Sequence, residues 1–105
     1  MRDWSAEAQA AIDHIGAQQG AFSQDRALEL IDFLADKGSA SKAEMQAYGS
    51  HGFVGKVLSH VTTAVHGKGQ VPAEGGWYRR AKRESPYVID PAFAEAWINA
   101  RLEST

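Results

Sequence analysis

The chain has 105 residues, with 11 Lys and Arg against 13 Asp and Glu, 44% hydrophobic residues and no cysteine. That length suits one domain with one core, and the composition is globular rather than disordered. The absence of cysteine excludes disulfides, thiolate zinc sites and cysteine nucleophiles.

The first helix is expected from Ser5 to Ile15, because Trp4, Ala8, Ala11, Ile12 and Ile15 recur at helical spacing. Gly16 and then Gln18-Gln19-Gly20 interrupt it. Ser23 can cap a second helix with apolar positions Ala27, Leu28, Leu30, Ile31, Phe33 and Leu34, closed by Lys37-Gly38. Ser41-Lys42-Ala43-Glu44 has the spacing of a capping box and opens a short helix over 42–48, anchored by Met45 and Tyr48. Gly49-Ser50 breaks the chain. A longer helix follows over 51–66, with Phe53, Val54, Val57, Leu58, Val61 and Val65 as its buried stripe.

The glycine-rich stretch from Gly67 to Gly76 reads as a loop. Trp77–Lys82 and Tyr87–Ile89 are strand-like, and Arg83-Glu84-Ser85-Pro86 between them reads as a turn, so a β-hairpin is expected. Asp90-Pro91 opens a last helix, with aspartate as cap and proline in the first turn. It carries two apolar stripes, Phe93/Trp97 and Ala94/Ile98/Leu102. One can face the core while the other faces the N-terminal helix or a second subunit.

Charge is distributed unevenly along these elements. Residues 1–50 are net acidic, as are residues 86–105. Residues 51–85 carry Lys56, Lys68, Arg79, Arg80, Lys82 and Arg83 against Glu74 and Glu84, together with His51, His60 and His66. A basic middle on an acidic chain suggests an anionic partner docking on one region.

In element order, lengths and charge, segment 28–90 resembles a winged helix-turn-helix domain. The resemblance implies a mainly α fold with a β-hairpin, extended by extra N-terminal and C-terminal helices. Residues 1–22 are then an N-terminal helix and linker, 23–90 the winged-helix core, and 91–105 a C-terminal helix. It also implies a recognition helix at 51–66, a wing at 77–89, and double-stranded DNA as partner.

Helical geometry separates the buried stripe of 51–66 from an arc of Gly52, Lys56, Ser59 and Thr63, flanked by His60 and His66. Those side chains are short or cationic, which suits a helix entering the major groove. Ser50 and His51 lie beside the helix N-terminus, where free amides favour a phosphate. In the hairpin, alternation sends Tyr78, Arg80 and Lys82 to one face and Trp77, Arg79, Ala81 and Arg83 to the other. The first face should be plainly basic and grip the phosphates or the minor groove. Lys68, between Gly67 and Gly69, belongs to a flexible connector near phosphate. The expected DNA-binding set is therefore Ser50, His51, Lys56, Ser59, His60, Thr63, Lys68, Arg79, Arg80, Lys82 and Arg83.

No nucleophile elbow, HExxH or phosphate-binding P-loop occurs, so no catalysis and no cofactor are expected. His51, His60 and His66 lack ligand spacing, so no metal is expected either. No window reaches the roughly 18 apolar residues of a membrane span. Met1-Arg2-Asp3-Trp4 lacks a signal peptide's apolar run, so the protein is expected in the cytoplasm, as a transcriptional regulator or architectural factor. A homodimer reading two half-sites is a further expectation, carried by the double stripe of the last helix. The rival readings are an adaptor docking an acidic protein through the hairpin, and RNA binding by the same surface.

Overall fold

The computed structural model describes residues 3–103 apart from 19, 21, 68, 69, 73, 83 and 84. Helix α1 spans Ser5–Gly16 and buries Ala8, Ala11 and Ile15. Helix α2 spans Gln24–Lys37, with the Ser23 hydroxyl accepting from the Arg26 amide at 3.4 Å. Gly38 closes α2 at φ +85°, a conformation that only glycine adopts without strain.

Two residues, Ser39–Ala40, then form strand β1. The capping box is present on α3, Lys42–Met45: Ser41 Oγ accepts from the Glu44 amide at 3.1 Å, and Glu44 Oε1 accepts from the Ser41 amide at 3.0 Å. Only its first part is α-helical. Gln46–Tyr48 tightens into a 3-10 turn before the break at Gly49. The ring of Phe53 lies where a Cβ on Gly49 would stand, so no larger residue fits this corner without a shift.

Helix α4 spans His51–His66, and Ser50 Oγ caps it by accepting from the Phe53 amide at 3.2 Å. Val54, Val57, Leu58 and Val61 are buried as the periodicity predicts, while Phe53 and Val65 are only half-buried. Thr62, left off the expected stripe, is buried with them.

The hairpin pairs β2, Tyr78–Arg79, with β3, Tyr87–Ile89, in register Tyr78↔Ile89 and Arg79↔Val88. Pairing along β2 is thus shorter than the expected Trp77–Lys82. On its other side β3 pairs with β1, giving an antiparallel sheet in the order β1-β3-β2. The third strand has no periodic signature because it is two residues long.

Helix α5, Pro91–Glu103, is capped by Asp90, whose Oδ2 accepts from the Phe93 amide at 3.1 Å. It packs against both α1 and α2. Phe93, Ala94, Trp97 and Ala100 are buried, whereas Ile98 and Leu102 are 37% and 69% exposed. The described residues thus form five α-helices and one small antiparallel sheet around a single core. None of these helices is long and apolar enough to cross a membrane.

Three tryptophans hold the core together, each with its indole N–H satisfied from another element. Trp4 Nε1 donates to Asp90 Oδ2 at 3.0 Å, Trp77 Nε1 to Thr62 Oγ1 at 3.0 Å, and Trp97 Nε1 to Asp32 Oδ1 at 2.7 Å. Asp32 also receives Arg101 through Nε and Nη2, which clasps α2 to α5. Buried indoles contribute large apolar area only when that donor is paired.

Leu58 is 4% exposed and Leu102 69% exposed, so truncating each should have very different costs. Leu58→Ala should lower stability by about 2–4 kcal/mol, and Leu102→Ala should change it by no more than about 0.5 kcal/mol. Urea midpoints measure both, and an unchanged midpoint in Leu58→Ala would mean that this face of α4 is not the buried one.

Candidate nucleic-acid interface

The exposed side of α4 is built from small residues. Gly52, Gly55, Lys56, Ser59 and Thr63 are all exposed and recur at helical spacing along one face. A Cβ on Gly55 would meet nothing within 4 Å, and one on Gly52 would meet only Ser50 Oγ at 3.9 Å. Nothing among the described residues therefore requires glycine at either position by crowding. Helix glycine costs roughly 0.5–1 kcal/mol relative to alanine, so these two lower the helix's own stability while baring its backbone. Thr63 Oγ1 donates to the Ser59 carbonyl at 3.0 Å, which leaves its lone pairs outward as acceptors.

His51 is exposed at the first position of α4, and the Ser50 hydroxyl is engaged in the cap. The other two α4 histidines turn away from the small-residue face. His66 Nε2 accepts from the Trp77 amide at 3.3 Å, and the ring meets Trp4 edge-on. His60 Nδ1 lies 3.0 Å from His14 Nε2 on α1, with the Phe22 ring edge-on at 5.2 Å. His60, expected to flank the small-residue arc, thus joins α4 to α1.

The hairpin carries the second group of candidates. Arg79 and Lys82 are exposed, and Lys68 and Arg83 lie outside the described residues. Arg80 is only partly exposed and folds back over the hairpin. Its Nε donates to the Ser85 carbonyl at 2.7 Å, its Nη1 donates to the Tyr87 hydroxyl at 3.1 Å, and its guanidinium carbon sits 4.3 Å from the Tyr87 ring centroid. Strand alternation does place Tyr78 and Arg80 together. Their side faces α4 across a cleft of about 390 Å³, however, and is not an outward basic surface. The Tyr87 ring draws the cation inward, a contact that a linear reading of the hairpin does not contain. Among the described residues of the hairpin, the outward cations are Arg79 and Lys82.

Gly55, Leu58, Ser59 and Thr62 of α4 form one wall of this cleft, and Tyr78, Arg80 and Tyr87 form another. Burial pushes the Tyr78 hydroxyl above its usual pKa, reinforced by Tyr87 and opposed by Arg80. Gly55, Tyr78, Tyr87 and His14 were not among the sequence-based candidates. Glycine on the exposed arc of α4 was the one available signal, and it pointed to Gly55 as much as to Gly52.

Among the described residues no group of three or more His, Asp or Glu could hold a metal ion. No family model, curated protein or solved structure matches the chain.

The His14–His60 contact has a consequence for stability. Desolvation lowers the His60 pKa below the ordinary 6.5, aided by the nearby His14 and Lys56. As pH drops, the unfolded chain takes up this proton before the folded one does. The contribution to stability is therefore full above about 6.5 and is lost as pH falls through that value toward the lowered one. The urea midpoint should decrease between about pH 7.5 and 5.5, and the decrease should shrink in His60→Gln. An equal decrease in that variant would place the titrating group elsewhere.

Proposed function

We propose that the chain is a winged helix-turn-helix protein that binds double-stranded DNA and acts on transcription or DNA architecture without catalysis. In this reading α4 enters the major groove, and the β2–β3 hairpin lies against the phosphate backbone. The observation that carries it is the exposed face of Gly52, Gly55, Lys56, Ser59 and Thr63. A helix read by a groove about 12 Å wide gains from short side chains that let its backbone approach.

Arg79 and Lys82 stand exposed on the hairpin, which is fixed to the same helix through the Trp77–Thr62 hydrogen bond. Cations on a projecting hairpin are suited to phosphates, which position the protein without reading sequence. Lys56 is the cation on the helix itself and is assigned to a phosphate or a guanine edge. A two-fold dimer would let one protein read two half-sites. The exposed Ile98 and Leu102 on α5 offer an apolar face for such pairing.

The test is a titration of labelled random-sequence duplex at several salt concentrations, with an unrelated polyanion as competitor. Each phosphate contact contributes about 0.9 to the slope of log affinity against log salt. The Arg79→Ala/Lys82→Ala variant should weaken binding to every duplex and flatten that slope by roughly two units at most. Lys56→Ala should in addition reduce preference for a selected site, by about 1–3 kcal/mol where a base contact is lost. A double variant that binds with the wild-type affinity and slope would refute the hairpin as DNA grip. The adaptor reading would then lead.

A further inference from the structure

The arrangement around Arg80 contains one unmet demand. Nε and Nη1 are bonded within the hairpin, but Nη2 is buried and has no hydrogen-bond partner among the described residues. A buried donor on a charged group without an acceptor is costly, and native structures seldom keep one without a reason. The Tyr87 hydroxyl accepts from Nη1, which leaves its own proton to donate. Across the cleft lies Ser59 on α4, with Gly55 one turn before it. At about 390 Å³ the cleft falls within the range of small-molecule sites, and its lining mixes apolar and aromatic walls with a few polar groups.

We propose that this cleft binds a phosphate ester, with Arg80 as the anchor. The guanidinium, the Tyr87 hydroxyl and the Ser59 hydroxyl come from three separate parts of the chain. Three donors from different elements suit a tetrahedral oxyanion better than a planar carboxylate with two oxygens. Tyr78, Leu58 and Val71 supply wall for the group that the phosphate carries. Gly55 keeps the α4 wall open: a Cβ there would meet none of the described residues within 4 Å. Nη2 is covered by its neighbours, so an entering oxygen must part the side chains around it. The phosphate could belong to a small molecule or to a strand of nucleic acid. The inference stands on the cleft and does not require duplex binding.

Isothermal titration calorimetry with phenyl phosphate, and with benzoate as the planar control, tests it. Saturable binding of phenyl phosphate at low millimolar concentration is expected, at least about tenfold tighter than benzoate. Gly55→Leu, which fills the cleft, and Ser59→Asp, which sets a carboxylate at its wall, should each weaken it by at least about tenfold. Neither substitution touches the bonds that Arg80 makes within the hairpin, and a thermal midpoint no lower than that of the wild type verifies that the fold persists. If random duplex competes with phenyl phosphate the source is nucleic acid, and if it binds without competing the source is a small molecule. If duplex does not bind at all while phenyl phosphate does, the source is a small molecule and only the DNA reading fails. Absence of binding by both probes, equal affinity for benzoate, or undiminished binding in both variants would overturn the proposal.

Discussion

The position of the hairpin relative to α4 depends on how Trp77 is buried. Its ring is fully enclosed, packed against Phe93 and Tyr78, and its indole N–H has one partner, the hydroxyl of Thr62. The Thr62 hydroxyl in turn donates a hydrogen bond to the Leu58 carbonyl within α4 at 2.7 Å, so both polar groups are satisfied in a dry environment. The backbone of Trp77 is fixed at both ends, its amide donating to His66 and its carbonyl accepting from the Asp90 amide at 2.8 Å. Asp90 in turn caps α5 and receives Trp4 ahead of α1. Removing any link would leave a buried donor or acceptor unpaired, at a cost of about 1–3 kcal/mol beyond the lost packing. The geometry of the candidate interface rests on this chain of contacts.

What the sequence made legible was local. Caps at Ser23, Ser41, Ser50 and Asp90 satisfy amides a few residues away, and their partners lie within a span that spacing can read. The stripe of α4 was legible in its centre, where Val57 and Leu58 meet the core squarely, and less so at Phe53 and Val65 on its margins. Thr62 escaped because a hydroxyl reads as polar until the indole that satisfies it is known. The same limit hid the His14–His60 contact, which joins residues 46 apart in sequence, and the inward turn of Arg80, whose partner Tyr87 lies across the hairpin. Counting cations located the basic segment but could not separate Arg80, held by an aromatic face, from Arg79 and Lys82 in solvent. Strand β1 was invisible because two residues have no period.

Within the proposed function, the uneven charge acquires a role. Asp13, Asp25, Glu29 and Asp36 are exposed on α1 and α2, whereas Lys56, Arg79 and Lys82 are exposed on α4 and the hairpin. A duplex approaching such a molecule is repelled from the first two helices and drawn to the other side, which orients the encounter before contact. The small face of α4 then decides how near the groove can come. The cleft beside it adds a place where a phosphate can be held more closely than surface cations hold one. In the proposed function the hairpin cations position the duplex and the small face of α4 meets the base edges, both tied together through Trp77.

The most direct test of this account is a map of amide chemical shifts in the isotope-labelled protein as random-sequence duplex is added. The account predicts changes concentrated at Gly52, Gly55, Lys56, Ser59 and Thr63 on α4 and at Arg79 and Lys82 on the hairpin. Asp25, Glu29 and Asp36 on α2 should remain still. Changes centred on α2 or on the outer face of α5, with α4 unperturbed, would contradict it.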